Sequence, residues 1–159
     1  MIVPNDVDAS RRSAAWPLSS ALPPMGALLH VPAIARAHVG TMLTSWQLAR
    51  LTDVAELVVS ELVTNAVEAS TGPDGLPVYV LGRMPVVRVA VLSDGVRALI
   101  EVFDQAPGRP ELRHADRYAE SGRGLFTVHT LTGGSWGWHP VQGQHAKCVW
   151  AELSVEASL

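Results

Sequence analysis

The sequence is short of several things, and each shortage excludes something. It holds one cysteine, Cys148, so no intrachain disulfide can form, which fits a reducing cytosol. It holds one lysine, Lys147, against eleven arginines. That lysine is followed by Cys148, so the phosphate-binding G-x-x-x-x-G-K-[ST] loop is absent. Charged residues make up only 17% of the chain and the net charge is −3, which argues against a general nucleic-acid binder. No apolar run approaches the ~20 residues of a membrane span. The N-terminus lacks a basic segment followed by an apolar stretch, so no signal peptide is expected. The expected location is cytoplasmic.

What is present suits one folded domain. The chain has 159 residues and is 48% apolar, enough to bury roughly two thirds of its unfolded surface. Residues 1–24 read as a flexible tail, with Pro4, Pro17, Pro23 and Pro24 and no sustained period, although Trp16 could dock. Residues 25–159 read as the domain. GALLHV at 26–31 predicts a short strand, and Pro32 suits the first turn of a helix to about Trp46. Thr52 or Asp53 can cap a second helix over about 53–69, ended by the turn cluster TGPDG. LPVYVLG and VVRVAVL read as strands, and Ser93-Asp94-Gly95 as a hairpin turn into the strand RALIEVFD. A polar connection at 105–121 precedes a helix over about 124–132, and GGSWGWH and AKCVWAEL close the chain as strands.

The second helix holds the first chemical signal. On a helical wheel Ser60, Thr64, Glu68, Glu61 and Asn65 fall within roughly 140°, opposite Ala55, Val59, Leu62, Val63, Ala66 and Val67. An ordinary amphipathic helix explains that arc. A cleft-facing arc would explain it differently. Glu61 and Asn65, one turn apart, could then serve one ion or one water molecule together. Mg²⁺ accepts hard oxygen ligands and keeps several waters, so one amide oxygen plus phosphates is a reasonable shell.

Two downstream signals bear on the choice. Asp104 ends an apolar strand, where a buried carboxylate could accept a hydrogen bond from an exocyclic amine such as that of adenine, or could simply start a turn. Gly122 and Gly124 in SGRGLFTVHTL let a backbone approach a ligand, and the helix that follows presents its N-terminal amides to a guest such as phosphate. The glycines do not continue as G-x-G-x-x-G and come late in the chain, which argues against a dinucleotide fingerprint. His139 and His145 near Cys148 lie in strand settings that favour structural or surface roles over metal binding.

Taken in order, ELVTN at 61–65, VFDQAPG at 102–108 and SGRGLF at 121–126 resemble the N, G1 and G2 boxes of the GHKL superfamily. That superfamily comprises the gyrase, chaperone and histidine-kinase-type ATPases. AELVVSELVTNAV, ESGRGLFTV and the ending W-x-W…K-x-V-W-A-E-L are most similar to the small anti-sigma-factor serine/threonine kinases of bacteria and their stand-alone relatives. The resemblance covers about residues 26–153. It implies the Bergerat ATP-binding fold, an α+β two-layer sandwich with a mixed, mostly antiparallel sheet covered by helices on one face. It implies ATP and Mg²⁺ as cofactors. Asn65 would hold Mg²⁺, and Glu61 would be the catalytic base or water-positioner. Asp104 would read the adenine amine and Gly108 would lie against the base. Gly122, Arg123 and Gly124 would lie beneath the phosphates, with Leu125 beside them, and 105–121 would act as a lid.

The sequence departs from that pattern in three places. Ala106 stands at the first glycine of the G1 box, Glu68 stands where relatives often carry a basic or His residue near the phosphate side, and 71–86 is longer and richer in proline. No phospho-accepting histidine module is present, since His30 is followed by Val-Pro. Three functions compete. One is a serine/threonine kinase acting on an anti-anti-sigma-type partner. Another is a nucleotide-gated module that sequesters a sigma factor or other protein with little turnover. A third is a nucleotide-free scaffold, against which intact Glu61, Asn65 and Asp104 argue. A homodimer is compatible with each, and neither nucleic acid nor membrane is an expected partner.

Overall fold

The computed structural model describes residues 15–110 and 123–155, with the backbone alone of Arg123. Its elements in chain order are β1 (Leu18–Ala21), β2 (Met25–Gly26), α1 (Val31–Ser45), a 3₁₀ turn (Ala49–Leu51), α2 (Thr52–Ala69), β3 (Val86–Ser93), β4 (Ala98–Asp104), α3 (Arg123–Thr132), β5 (Trp136–Val141) and β6 (Ala146–Leu153). The chain is an α+β protein with a six-stranded open sheet. The order is β1-β3-β4-β6-β5, with β2 also on β3. Every pairing between these strands is antiparallel, so the expectation of a mixed sheet is corrected.

Alternation explains how the sheet meets the helices. Val89, Val102 and Val149 stand side by side across β3, β4 and β6, as do Val91, Ile100 and Ala151. All six are buried, and they join Val31, Ala35, Val39, Leu43, Val58, Val59, Leu62 and Val63 from α1 and α2 in one core. Each Val, Leu or Ile so buried contributes about 1.5–3 kcal/mol before entropy is counted. The same period of two carries this face to the end of the strands, where Asp104 on β4 faces Lys147 on β6. Helices α1 and α2 approach closely at Gly40, where a methyl group would collide with the Glu56 carboxylate. No helix among the described residues is long and apolar enough to cross a membrane.

Four readings of the sequence change. Leu18–Ala21 is not tail: it pairs with Ala90–Ser93, and Met25–Gly26 continues along the same edge of β3. Pro23 and Pro24 interrupt that run, which an edge tolerates because outward amides need no partner. Residues 1–14 lie outside the described structure. GALLHV keeps only Gly26 in a strand, because a turn closed by Val31 N donating to Leu28 O leads into α1. LPVYVLG makes only isolated bridges, Thr71↔Pro77 and Val80↔Arg83, around a tight turn with Leu81 at φ 51° and Gly82 at φ 74°. Finally, neither Thr52 nor Asp53 caps α2. The N-cap is Leu51 without a side-chain bond, and the Thr52 hydroxyl is buried with no partner.

That buried hydroxyl is a removable cost, since an unsatisfied polar group loses its hydration without compensation. Thr52→Val is expected to stabilise the protein by about 1 kcal/mol. Chemical denaturation checks this, and a loss of stability would show that the hydroxyl is satisfied in solution.

Candidate functional site

One cavity, about 620 Å³, opens between α2, the start of α3 and the ends of β4 and β6. Leu62, Ala66, Leu125 and Val149 give it apolar walls, while Asn65, Glu68, Asp104 and Lys147 supply polar groups. Pro107, Gly108, Arg109 and Pro110 line its side after β4.

Its base is an ion pair. Lys147 Nζ donates to Asp104 Oδ1 at 2.7 Å and to the Ala106 carbonyl at 2.9 Å. The Ala106 amide donates to the same Oδ1 at 2.9 Å, closing an Asx turn. Both residues are nearly sealed, Asp104 at 2% and Lys147 at 7% exposure. Burial pushes the Asp104 carboxyl up, against the downward pull of the Lys147 ammonium and the Ala106 amide. The 2.7 Å contact and the short amide bond fix the pair's geometry, with Asp104 as acceptor. Among the described residues, every hydrogen bond to the Asp104 carboxylate falls on Oδ1, so Oδ2 is the acceptor left for a guest.

The turn after β4 answers the question raised by Ala106. Its backbone angle is not left-handed, so a methyl group there carries no strain, and the residue is buried. Gly108 has φ 87°, and a methyl group there would meet nothing within 4 Å. The requirement at 108 is thus conformational rather than spatial.

At Gly124 the requirement is spatial. A methyl group on this residue would sit 2.6 Å from Glu61 Oε2 and 3.1 Å from Asn65 Oδ1. The first turn of α3 therefore lies directly on the polar arc of α2. Leu125, the next residue, is buried and lines the cavity. Asn65 is half-buried and lines it too. Glu61 is half-buried one turn back, against Gly124, and is not among the lining residues. Burial first, and the like charge of Glu68 second, hold the Glu61 carboxyl above its ordinary value. Glu68 itself lies on the cavity wall.

The cavity thus gathers Asn65, Asp104, Gly108 and Leu125, and Gly124 joins α3 to Glu61 behind them. Gly122, the Arg123 side chain and the lid residues 111–121 lie outside the described structure. Sequence reasoning did not assign Lys147 to the site. The signal was available: in AKCVWAEL, alternation puts Lys147 on the same face as the buried Val149 and Ala151. Among the described residues no group of three or more His, Cys, Asp or Glu side chains gathers as a metal site. A hard cation here would take the Asn65 amide oxygen and complete its shell from a ligand and water. No protein-family model matches the chain, and no curated protein matches it.

The raised proton affinity of Glu61 has a sign that can be tested. The folded state favours the protonated acid, so its stabilising effect is full below the unfolded value of 4.5 and is lost as pH rises through the folded value. At neutral pH the ionised side chain is a cost. Glu61→Gln is expected to melt higher than wild type at about pH 7, with the gap closing towards about pH 4. Thermal melts across that range check it, and a gap independent of pH contradicts it.

Proposed function

We propose that the protein is an ATP-binding regulator with a Bergerat-type fold. In this reading it is a serine/threonine kinase of the anti-sigma-factor type, acting on an anti-anti-sigma-type partner. The observation that supports it most is the convergence of Asn65, Asp104 and Gly108 on one cavity, from segments about 40 residues apart. The residues present suit an adenine nucleotide. The cavity is of the size usual for small-molecule sites, its walls are apolar, and Asp104 Oδ2 offers an acceptor to an exocyclic amine. Asn65 offers the amide oxygen for Mg²⁺.

When bound, Mg·ATP supplies a transferable phosphoryl group whose charge the metal screens. The chain supplies positioning. Asn65 would hold the cation through its amide oxygen. The first turn of α3, pressed onto α2 at Gly124, directs its free amides at negative charge. Glu61 orients the partner hydroxyl and accepts its proton at the carboxylate, and its raised proton affinity suits a base. The partner contributes that hydroxyl, so turnover depends on a second protein. The position of Glu61 behind Gly124 favours a second reading, in which the nucleotide gates the sequestering of a partner with little transfer.

Two variants test this. Asn65→Ala is expected to weaken Mg·ATP by roughly 10- to 100-fold, the range for losing a bond to a charged group. Calorimetry with and without Mg²⁺ measures it, and an unchanged affinity rejects the metal role. Glu61→Ala is expected to bind ATP within a few-fold of wild type while losing about 10²–10⁴ in transfer rate. Labelled ATP and a candidate partner provide the assay. Full transfer in that variant rejects the base, and no transfer by wild type to any partner favours the gated module.

A further inference from the structure

We propose that Lys147 determines base specificity in this cavity, acting with Asp104 as a donor beside an acceptor that together read the edge of a 6-aminopurine. The inference rests on the nucleotide reading of the site and extends it to a residue outside the three boxes.

The pair has spare capacity on both sides. An ammonium group has three N–H donors, and Lys147 uses two, on Asp104 Oδ1 and the Ala106 carbonyl. No third protein acceptor is bonded to it among the described residues. Among the same residues none bonds to Asp104 Oδ2. Both residues line the cavity, and both are more than nine-tenths buried, so unmet capacity here costs more than it would at the surface.

The polarity of that spare capacity selects the ligand. A 6-aminopurine presents an amine donor at C6 next to the acceptor N1. A carboxylate oxygen beside an ammonium N–H complements that order. A 6-oxopurine presents the reverse, a carbonyl acceptor next to an N1–H donor, and would set its carbonyl against Asp104. Asp104 alone could turn to accept the N1–H of a 6-oxopurine. Lys147 prevents this by holding Oδ1 and by placing a donor where the N1–H would lie. Rejecting the wrong base by mismatched buried polar groups is a strong form of discrimination.

The fold explains why lysine serves here. Asp104 and Lys147 are directly opposed in the β4–β6 register, where cross-strand side chains stand about 5 Å apart. An ammonium is a compact donor with rotatable N–H bonds, whereas guanidinium is a wide planar fork. The chain uses arginine at its other eleven basic positions and lysine only at this one. Burial already raises the proton affinity of Asp104, so removing Lys147 would favour a neutral, protonated carboxyl that can donate as well as accept.

The test uses the full chain with three Mg²⁺-bound probes: ATP, GTP and 1-deaza-ATP, which keeps the amine but lacks N1. Wild type is expected to prefer ATP over 1-deaza-ATP by about tenfold or more, as for one hydrogen bond to a charged donor. Lys147→Met is expected to erase that difference and to narrow the ATP-to-GTP ratio. If wild type binds ATP and 1-deaza-ATP equally, Lys147 does not read N1, while the nucleotide reading stands. An unchanged ATP-to-GTP ratio in Lys147→Met also overturns the proposal. If wild type binds no ATP, both readings fall. Circular dichroism checks folding, and the neutral pair Asp104→Asn/Lys147→Met replaces the single variant if that one unfolds. The wild-type comparison of ATP with 1-deaza-ATP needs no variant, and equal binding there overturns the proposal whatever the variants do.

Discussion

The buried pair of Asp104 and Lys147 is the constraint around which the site is organised. Desolvating two charges is expensive, and a well-packed apolar pair of similar volume is often as stable or more so. Removing only one partner is another matter, because it strands a buried charge at about 3–5 kcal/mol. The pair is therefore poorly explained as a source of stability. It makes better sense as a fixed array of charge at the end of an apolar sheet face. It also fixes backbone: through Ala106 it closes the turn after β4, and that turn delivers Gly108 to the cavity.

The opposite wall depends on a second close contact. Gly124 lets α3 start against Glu61 and Asn65, so this part of the polar arc of α2 meets another helix. The cost appears in Glu61, whose ionised form is disfavoured by burial and by Glu68. Burial raises the proton affinity of both Glu61 and Asp104, and only Asp104 has a cation bonded to it to oppose that shift.

Much of this was legible in the sequence, and the failures have physical causes. The 3.6-residue period of 53–69 gave α2 and its polar arc, because a long amphipathic run leaves few alternatives. Asp104 was placed correctly at the end of a strand. Its partner was missed because pairing between β4 and β6 joins residues 43 apart, and no local pattern encodes register. The alternation around Lys147 pointed to its burial but not to its counter-ion. LPVYVLG reads as a strand by composition yet pairs with no named strand, since apolar residues report burial only when a neighbour exists to cover them. Leu81 is 78% exposed. Residues 18–21 were lost to the tail because the flanking prolines that suggested disorder are tolerated on a sheet edge. Thr52 had the chemistry of a cap, but the preceding 3₁₀ turn put Leu51 at the cap position.

The central claim is that the cavity between α2, α3 and the β4–β6 end is a nucleotide site. Amide hydrogen exchange with and without saturating Mg·ATP tests it most directly. The account predicts slower exchange confined to residues 61–69, 104–110 and the first turn of α3, with β1, β2 and β5 unchanged. No change in those three segments, or protection centred on the far face of the sheet, would contradict it.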